Sequence, residues 1–220
     1  REYHLDKTDR INAAGYKLFH IFSDDWINRR AIVESMIRSK LGVLDRIMAR
    51  KCKVMPVPPR EAKNFLDANH LQGGRAGSSV AYGLYHAGEL VSIMTFGRSR
   101  FNKNYDHELI RFASLVNVSV VGGFSKLLKH FRDNHSGSII SYADKTHSSG
   151  SVYAVNGFRH VKDNPPGYYY VDKAYAKRLH RYAFVKKKIA PGDPRPEWMI
   201  MEERGYRRLW DCGTMVFVLS

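Results

Sequence analysis

The sequence predicts an α+β fold in which helices flank a mixed β-sheet. Three observations carry this prediction: a hairpin pattern at 80–97, a glycine pair before a helical pattern at 122–131, and short apolar strands on both sides of that helix. Strands joined by a tight turn pair antiparallel, whereas strands joined through a helix are typical of parallel neighbours. Both kinds of connection occur together, which indicates a mixed sheet.

The composition indicates a globular chain with a polyanionic partner. The 220 residues contain 36 Lys and Arg against 21 Asp and Glu, a formal net charge of +15, and 44% of them are hydrophobic. Such a surplus is typical of nucleic-acid-binding proteins, and no apolar run approaches the roughly 18–20 residues of a membrane span. We therefore expect double-stranded DNA as a partner and no membrane. Cys52 and Cys212 lie far apart, which favours a reducing intracellular compartment over a disulfide framework.

The first fifty residues are predicted to form two helices around one strand. A helical pattern at 4–14 ends at Gly15, and 16–22 is rich in the aromatic and β-branched residues of a buried strand. Asp24 and Asp25 mark the start of an amphipathic helix that extends to Gly42 and has one basic face. Prolines 56, 58 and 59 break regular structure, so 51–59 is predicted to be a linker.

The rest of the chain is predicted to alternate strands and helices. After a helix at 61–69 and a small-residue loop at 73–79, a hairpin turns at His86-Ala87-Gly88. The further strands are expected at 110–115, 139–142 and 168–171, and the further helices at 125–131 and 150–156. The run CGTMVFVL is expected to close the chain as an edge strand. The predicted domains are 1–50, 60–190 and a tail at 191–220.

Residues 60–172 resemble the GNAT-type acyltransferases. The matching segments are GLYHAGELVSIMTFG, ELIRF, VGGFSKLL and YAVNGF. In that fold the glycine turn and the helix start present backbone N–H groups to a pyrophosphate. The basic residue of the family pattern is missing before Gly122-Gly123, where Ser119-Val120-Val121 stands, so the expectation is that acetyl-CoA is a doubtful cofactor.

The same segment is also similar to the Mu-type phage DNA adenine-modification proteins, a divergent branch of that superfamily. ELIRF, the serine of GGFSKLL, the end of SYAD and the tyrosine of SVYAVNGF carry this similarity. It implies a common pocket lined by Arg111, Ser125, Asp144 and Tyr153. The residue types also allow a structural interpretation, in which Ser125 and Asp144 cap a helix and a loop, Tyr153 packs in the core, and Arg111 forms an ion pair.

Residues 4–26 resemble the C-terminal half of the very-short-patch-repair (Vsr-like) nuclease domain of phage homing endonucleases. The matching run is HLDKTDRINAAGYKLFHIFSDDW, and the family's earlier strands would lie upstream of Arg1, where the chain begins without a methionine. The resemblance implies Mg²⁺ or another divalent metal, held by carboxylates beside a histidine that activates water. It makes His4, Asp6 and Lys7 candidate catalytic residues, with Asp6 as the metal ligand. An exposed helical face is the alternative for these three residues.

Several clusters of basic residues are expected to contact DNA phosphates. The densest is 173–188, where aromatic residues are interleaved, and a second forms a loop at 97–105. The predicted DNA-binding residues are Arg98, Arg100, Lys103, Lys145, Lys173, Lys177, Arg178, Arg181, Lys186, Lys187 and Lys188.

The leading functional hypothesis from the sequence is a metal-dependent homing-type endonuclease that cuts double-stranded DNA. The GNAT-like segment would be its DNA-recognition platform, in the cytoplasm of a phage-infected bacterium. Two alternatives stay open: a transferase that modifies a DNA base, with Asp144 as the base, and a DNA-binding module without catalysis.

Overall fold

A computed structural model describes residues 1–74, 77–172, 174 and 176–220. The chain separates into two compact units, and each unit is built from several stretches of sequence, whereas the sequence analysis predicted consecutive domains. Unit 1 comprises Arg1–Asn28, Asp144–Ser149 and Asp163–Met215, and unit 2 comprises Arg29–Ala143, Gly150–Lys162 and Val216–Ser220. Among the described residues, every helix is too short or too polar to cross a lipid bilayer.

Short helices and strands are interspersed along the chain. The helices are α1 (Tyr3–Ala13), α2 (Ser23–Asn28), α3 (Arg30–Leu41), α4 (Pro59–Asn69), α5 (Gly123–Asn134), α6 (Ser151–Ala154), α7 (Lys186–Ile189) and α8 (Glu197–Glu203). The strands are β1 (Asp45–Met48), β2 (Lys53–Pro56), β3 (Val80–His86), β4 (Glu89–Arg98), β5 (His107–Ser114), β6 (Val118–Val121), β7 (Ile139–Asp144), β8 (Arg159–Asn164), β9 (Tyr168–Val171), β10 (Arg178–His180), β11 (Arg207–Trp210) and β12 (Thr214–Leu219). Short 3₁₀ turns occupy Ala49–Lys51 and Arg181–Phe184.

The largest sheet has seven strands in the order β2-β3-β4-β5-β7-β12-β8. Strands β2 to β5 are antiparallel neighbours, whereas β5 and β7 run parallel. A two-stranded parallel sheet joins β1 to β6, and an antiparallel sheet in unit 1 has the order β10-β9-β11. The predicted α+β class with a mixed sheet is confirmed.

The β3–β4 hairpin turns where the sequence predicts. Ala87 has φ 50° and Gly88 has φ 88°, so both lie in the left-handed region. A two-residue hairpin turn of type I′ requires positive φ at both central positions. The glycine adopts this conformation without steric cost, and the turn fixes the register of the two central strands.

Helices α4 and α5 bury the apolar side chains of the hairpin strands. Ala62, Phe65 and Leu66 of α4 pack against Ile93 of β4 in one hydrophobic cluster. Helix α5 packs against β3 and β4, and its Phe131 ring stacks on Phe96 at 3.6 Å between ring centroids. These contacts hold the first turn of α5 at a fixed place beside the sheet.

The N-terminal segment differs from its prediction. Residues 16–22 form no strand, because no neighbouring strand pairs with them, although the His20 N–H reaches the Thr146 carbonyl at 3.4 Å. The predicted long helix is divided into α2 and α3, since the Asn28 side-chain amide donates to the Asp24 carbonyl at 2.9 Å and ends α2 there. A Vsr-like nuclease part is not shown for residues 1–50, which contain α1, α2, α3 and β1.

Two further segments lie inside the large sheet. The predicted linker 51–59 contributes β2, which pairs with β3 at one end of the sheet. As far as the chain is described, the outer edge of β2 has no neighbouring strand, so the missing backbone N–H of Pro56 is tolerated there. The predicted edge strand near the C-terminus is β12, an interior strand between β7 and β8. Its residues from Val216 to Leu219 are all buried, as in a strand covered on both faces.

Candidate functional site

The parallel strands β5 and β7 of unit 2 pair over only part of their length. Their register runs from His107 opposite Ile139 to Leu109 opposite Ser141, and each strand then continues beyond the paired part. Two strand edges that separate leave backbone N–H and C=O groups for another partner. The opening after Leu109 and Ser141 is therefore a candidate cleft for an extended ligand.

The Tyr153 hydroxyl lies at the point where the strands part. It is 3.1 Å from Oγ of Ser141, and the Leu109 carbonyl oxygen is 3.0 Å from the same Oγ. A serine hydroxyl carries one proton, so Ser141 donates either to the Tyr153 oxygen or to the Leu109 carbonyl, and the Tyr153 proton stays available to a ligand. The arrangement fixes the Tyr153 O–H beside the last paired residues of both strands.

Aromatic rings surround Tyr153 and hold its ring in place. Phe217 stacks on it at 4.7 Å, while Phe124 and Phe158 meet its ring edge-on at 5.6 and 5.4 Å. Burial raises the pKa of the Tyr153 hydroxyl, and the Ser141 hydrogen bond and the nearby Arg111 charge oppose that rise. The Tyr153 hydroxyl is therefore a protonated donor near neutral pH.

The glycine turn leads from β6 into the N-terminus of α5. Gly122 has φ +78°, a left-handed conformation that caps the helix without a side-chain hydrogen bond. A Cβ on Gly123 would lie 3.2 Å from Val120 and 3.3 Å from Leu84, so the turn has little room for a larger residue. Ser125 is exposed in the first turn. Backbone N–H groups at such a helix start form an anion site.

Two of the predicted pocket residues are linked to Tyr153 only indirectly. Arg111 acts on Tyr153 electrostatically, and Phe124 links Tyr153 to the first turn of α5, which carries Ser125. Asp144 belongs to unit 1, where its Oδ1 accepts from the Thr146 N–H at 2.8 Å and caps the turn after β7. The common pocket of all four residues stays a prediction.

Unit 1 contains a buried cluster of charged groups centred on Arg178, which the sequence analysis predicted to bind DNA. Arg178 donates to Asp24 at 2.9 Å and to Asp25 at 2.5 Å, and its guanidinium lies 4.6 Å from the centre of the Phe22 ring. Burial raises the pKa of Asp25, and the charge of Arg178 opposes that rise. Burial also lowers the pKa of His147, while Asp144 and Asp25 act in the opposite direction.

We expect the stability of unit 1 to fall as the pH decreases from about 7 to 5, the range in which histidine titrates. The pKa of His147 is lowered below its ordinary 6.5, so the unfolded chain binds more protons than the folded chain in this range. The contribution of neutral His147 is thus present above pH 6.5 and lost on acidification. Urea unfolding at both pH values measures the change.

The matched variant is His147→Gln, which cannot titrate. It should lose less unfolding free energy than the native chain over the same pH interval. His4 and His20 have lowered pKa values for the same reason and contribute the remainder. An identical loss in the native chain and the variant would contradict the role of His147.

The predicted nuclease residues lie on α1. His4 is partly buried, with its ring 5.2 Å from that of His20, whereas Asp6 and Lys7 are exposed. Nε2 of His20 lies 2.7 Å from the Thr8 hydroxyl oxygen, and the two atoms form a hydrogen bond. Within the described residues, no group of three or more His, Cys, Asp or Glu side chains is placed to hold a metal ion.

The predicted DNA-binding residues divide into paired and exposed side chains. Arg100 pairs with buried Glu108 at 2.5 Å, Lys145 with Asp163 at 3.0 Å, and Arg178 with the two aspartates of α2. The exposed members are Arg98, Lys103, Lys177, Arg181, Lys187 and Lys188, and Lys186 is half-buried. Lys173 and the Arg75-Ala76 part of the predicted loop lie outside the described residues.

Comparison with known proteins gives matches only at the level of structure. No family model matches the chain, and no curated protein matches it. Twelve chains of solved structures match. Among them are a GNAT family acetyltransferase from Elizabethkingia anophelis with acetyl-CoA bound (14% identity, 77% of this chain and 98% of that chain, TM-score 0.42) and an IAA acetyltransferase from Bacillus cereus (14%, 76% and 98%, 0.44). A third is an acetyltransferase from Bacillus subtilis in complex with CoA (11%, 77% and 99%, 0.44).

These findings correct two predictions from the sequence. The prediction of a metal-dependent endonuclease, a hydrolase with Mg²⁺, is wrong, because the matching structures are acetyltransferases and the described residues contain no group of three or more potential metal ligands. The doubt about acetyl-CoA is also corrected, since two of the matching structures contain acetyl-CoA or CoA. At this level of identity the likeness concerns the fold alone.

Two features of the candidate sites have no clear signal in the sequence. Ser141 is one of several serines in the chain, and its position opposite Leu109 depends on the strand register. The pairing of Arg178 with Asp24 spans 154 residues of sequence. The Asp24-Asp25 pair is a visible motif, but at the sequence level it is explained by a helix start.

Proposed function

We propose that this chain is a group transferase that uses an acyl donor of the coenzyme A type, bound where β5 and β7 part. The observation that carries the proposal is the Tyr153 hydroxyl, held by Ser141 at the end of the paired register. An extended ligand in that opening can bond to two strand edges and reach a proton donor at the same time.

The residues at the start of α5 fit the phosphate groups of such a donor. Gly122 and Gly123 form a tight turn, and the helix has no side-chain cap at its first residue. Its first N–H groups are therefore directed to a partner outside the helix. Lys126 donates to the Ala49 and Cys52 carbonyls at 2.9 and 2.6 Å, so the positive potential at this site comes from the backbone.

The protein side chains supply proton transfer and orientation. A bound thioester provides an activated acyl group and a sulfur leaving group. As an acceptor nucleophile took the acyl group and the C–S bond broke, Tyr153 would donate its hydroxyl proton to the leaving sulfur and regain one from the acceptor, since burial raises its pKa and keeps it protonated near neutral pH. Ser141 orients the hydroxyl, and the charge of Arg111 makes loss of the proton easier.

A nucleic-acid partner is part of the proposal. The net charge of +15 supports it, together with exposed basic side chains such as Arg98, Lys177, Arg181 and Lys187. Duplex DNA remains the expected form, and its affinity should fall steeply with salt because bound cations are released. The buried free thiols Cys52 and Cys212 support a reducing intracellular compartment.

The donor site is tested by Ser125→Asp. An acidic residue in the first helical turn favours the helix but repels a phosphate at its N-terminus. Charges that approach within about 4 Å at an intermediate dielectric interact by several kcal/mol, so we expect acetyl-CoA to bind at least about tenfold more weakly. Isothermal titration calorimetry of the whole chain with acetyl-CoA gives the dissociation constants.

The matched control is Ser136→Asp, which adds the same charge at an exposed serine just after α5. It should bind acetyl-CoA as the native chain does. Pantetheine, which lacks the pyrophosphate, should be insensitive to Ser125→Asp. If the native chain fails to bind acetyl-CoA, or if both variants weaken binding equally, the proposed donor site is wrong.

A further inference from the structure

Arginine and aromatic side chains alternate on one surface of unit 1. We define the arginine–aromatic patch as Tyr168, Arg181, Tyr182, Trp198, Arg208 and Trp210. Tyr182 is 65% exposed and Trp198 is 37% exposed. Large aromatic rings are usually more deeply buried than this, and exposed ones often mark a binding surface.

Strand register places the centre of the patch on one face of the small sheet. Tyr168 of β9 lies opposite Trp210 of β11, and Arg208 lies opposite Tyr170. Residues directly opposite one another, and residues two apart, share a face. The guanidinium of Arg208 is therefore surrounded by rings, 4.6 Å from that of Trp198 and 5.8 Å from those of Tyr168 and Trp210.

Arg181 extends the patch on its other side. Its guanidinium lies 4.7 Å from the centre of the Tyr168 ring and 5.8 Å from that of Tyr182. In the described part of the chain, neither Arg181 nor Arg208 has a carboxylate within salt-bridge distance. The neighbouring Arg207, by contrast, pairs with Glu202 at 3.1 Å. Among the described residues, the guanidinium groups of Arg181 and Arg208 thus take part in no ion pair, although Glu197 accepts a hydrogen bond from Tyr168 at 3.5 Å.

We propose that the arginine–aromatic patch binds single-stranded nucleic acid. Exposed rings offer stacking surfaces to unpaired bases, and the guanidinium groups offer contacts to phosphates. In a duplex the base faces are stacked on one another, so a duplex could contact the arginines through its phosphates but could not stack its bases on the rings. The proposal rests on the nucleic-acid partner proposed above, and it is independent of acyl transfer.

The first experiment compares two oligonucleotides that carry the same number of phosphates. One is a thymidine strand of about ten nucleotides, within the usual length of a single-strand site, and the other is an abasic strand of equal length. Two of the three tryptophans lie in the patch, so Trp26→Phe leaves Trp198 and Trp210 as fluorescent probes. We expect the thymidine strand to quench this fluorescence and to bind at least tenfold more tightly than the abasic strand.

Variants of adjacent arginines provide the matched control. Arg208→Gln should weaken binding of the thymidine strand about tenfold, because it removes a charge and a stacking plane at the centre of the patch. Arg207→Gln removes the same charge from the next residue, which is already paired with Glu202, and should change the affinity no more than twofold. Tyr168→Leu should abolish most of the preference for bases over abasic sites.

The results distinguish failure of the arginine–aromatic patch from failure of the nucleic-acid partner proposed above. Equal affinity for the thymidine and abasic strands overturns the stacking patch but leaves a phosphate-binding partner in place. Equal effects of Arg207→Gln and Arg208→Gln on the thymidine strand overturn it in the same way. If no oligonucleotide or duplex binds, the nucleic-acid partner fails and the patch fails with it, whereas acetyl-CoA binding is unaffected.

Discussion

Arg178→Met is expected to lower the free energy of unfolding by about 3–5 kcal/mol, the cost of breaking a buried ion pair from one side. The guanidinium of Arg178 is the counter-charge for both Asp24 and Asp25, and the side chains of all three residues are less than one-fifth exposed. Without it, two carboxylates stay buried without compensation. Urea denaturation at pH 8, followed through Trp26 of α2, measures the loss.

The pH and a second substitution test the cause of this loss. Removing the positive charge lets the already raised pKa of Asp25 rise further, and a raised carboxyl pKa reduces stability as the pH increases through it. The penalty of Arg178→Met should therefore be larger at pH 8 than at pH 5, and Asp25→Asn should recover part of it. Lys177→Met, at an exposed neighbouring position, should change stability by less than about 0.5 kcal/mol. A penalty that is equal at both pH values would contradict this explanation.

Tyr153→Phe is expected to reduce the rate of acyl transfer by about 10²–10⁴-fold, the usual contribution of a positioned proton donor. The substitution removes the hydroxyl next to Ser141 and leaves the stacking with Phe217 unchanged. The dissociation constant of acetyl-CoA should hardly change, because the donor site at the start of α5 is intact. Release of free thiol from acetyl-CoA in the presence of the proposed nucleic-acid partner measures the rate.

The control is Tyr142→Phe, on the residue after Ser141 in β7. Tyr142 also has a pKa raised by burial, but its ring packs edge-on to Phe101, and successive strand residues point to opposite faces. It should transfer acyl groups at the native rate. Thiol release that is equally fast in the native chain and in Tyr153→Phe would show that this hydroxyl is not the proton donor.

The local elements of unit 2 were predictable because their signals are short-range. The turn at Ala87-Gly88, the helix after Gly122-Gly123 and the strand at 139–142 were all predicted near their observed places. Each depends on the φ preference of a glycine or on the period of apolar residues over a few positions. The segment 16–22 has equally good β-propensity but forms no strand, because a strand also requires a neighbour.

The sequence by itself determined the α+β class, the glycine turn into α5 and the excess of positive charge, since these depend on composition and local pattern. Only the tertiary structure decided which groups meet: the Tyr153 hydroxyl with Ser141, Arg178 with the aspartates of α2, and Arg208 among the rings of unit 1. Contacts of this kind join residues far apart in the chain, and the strand order and register that create them result from packing of the whole sheet.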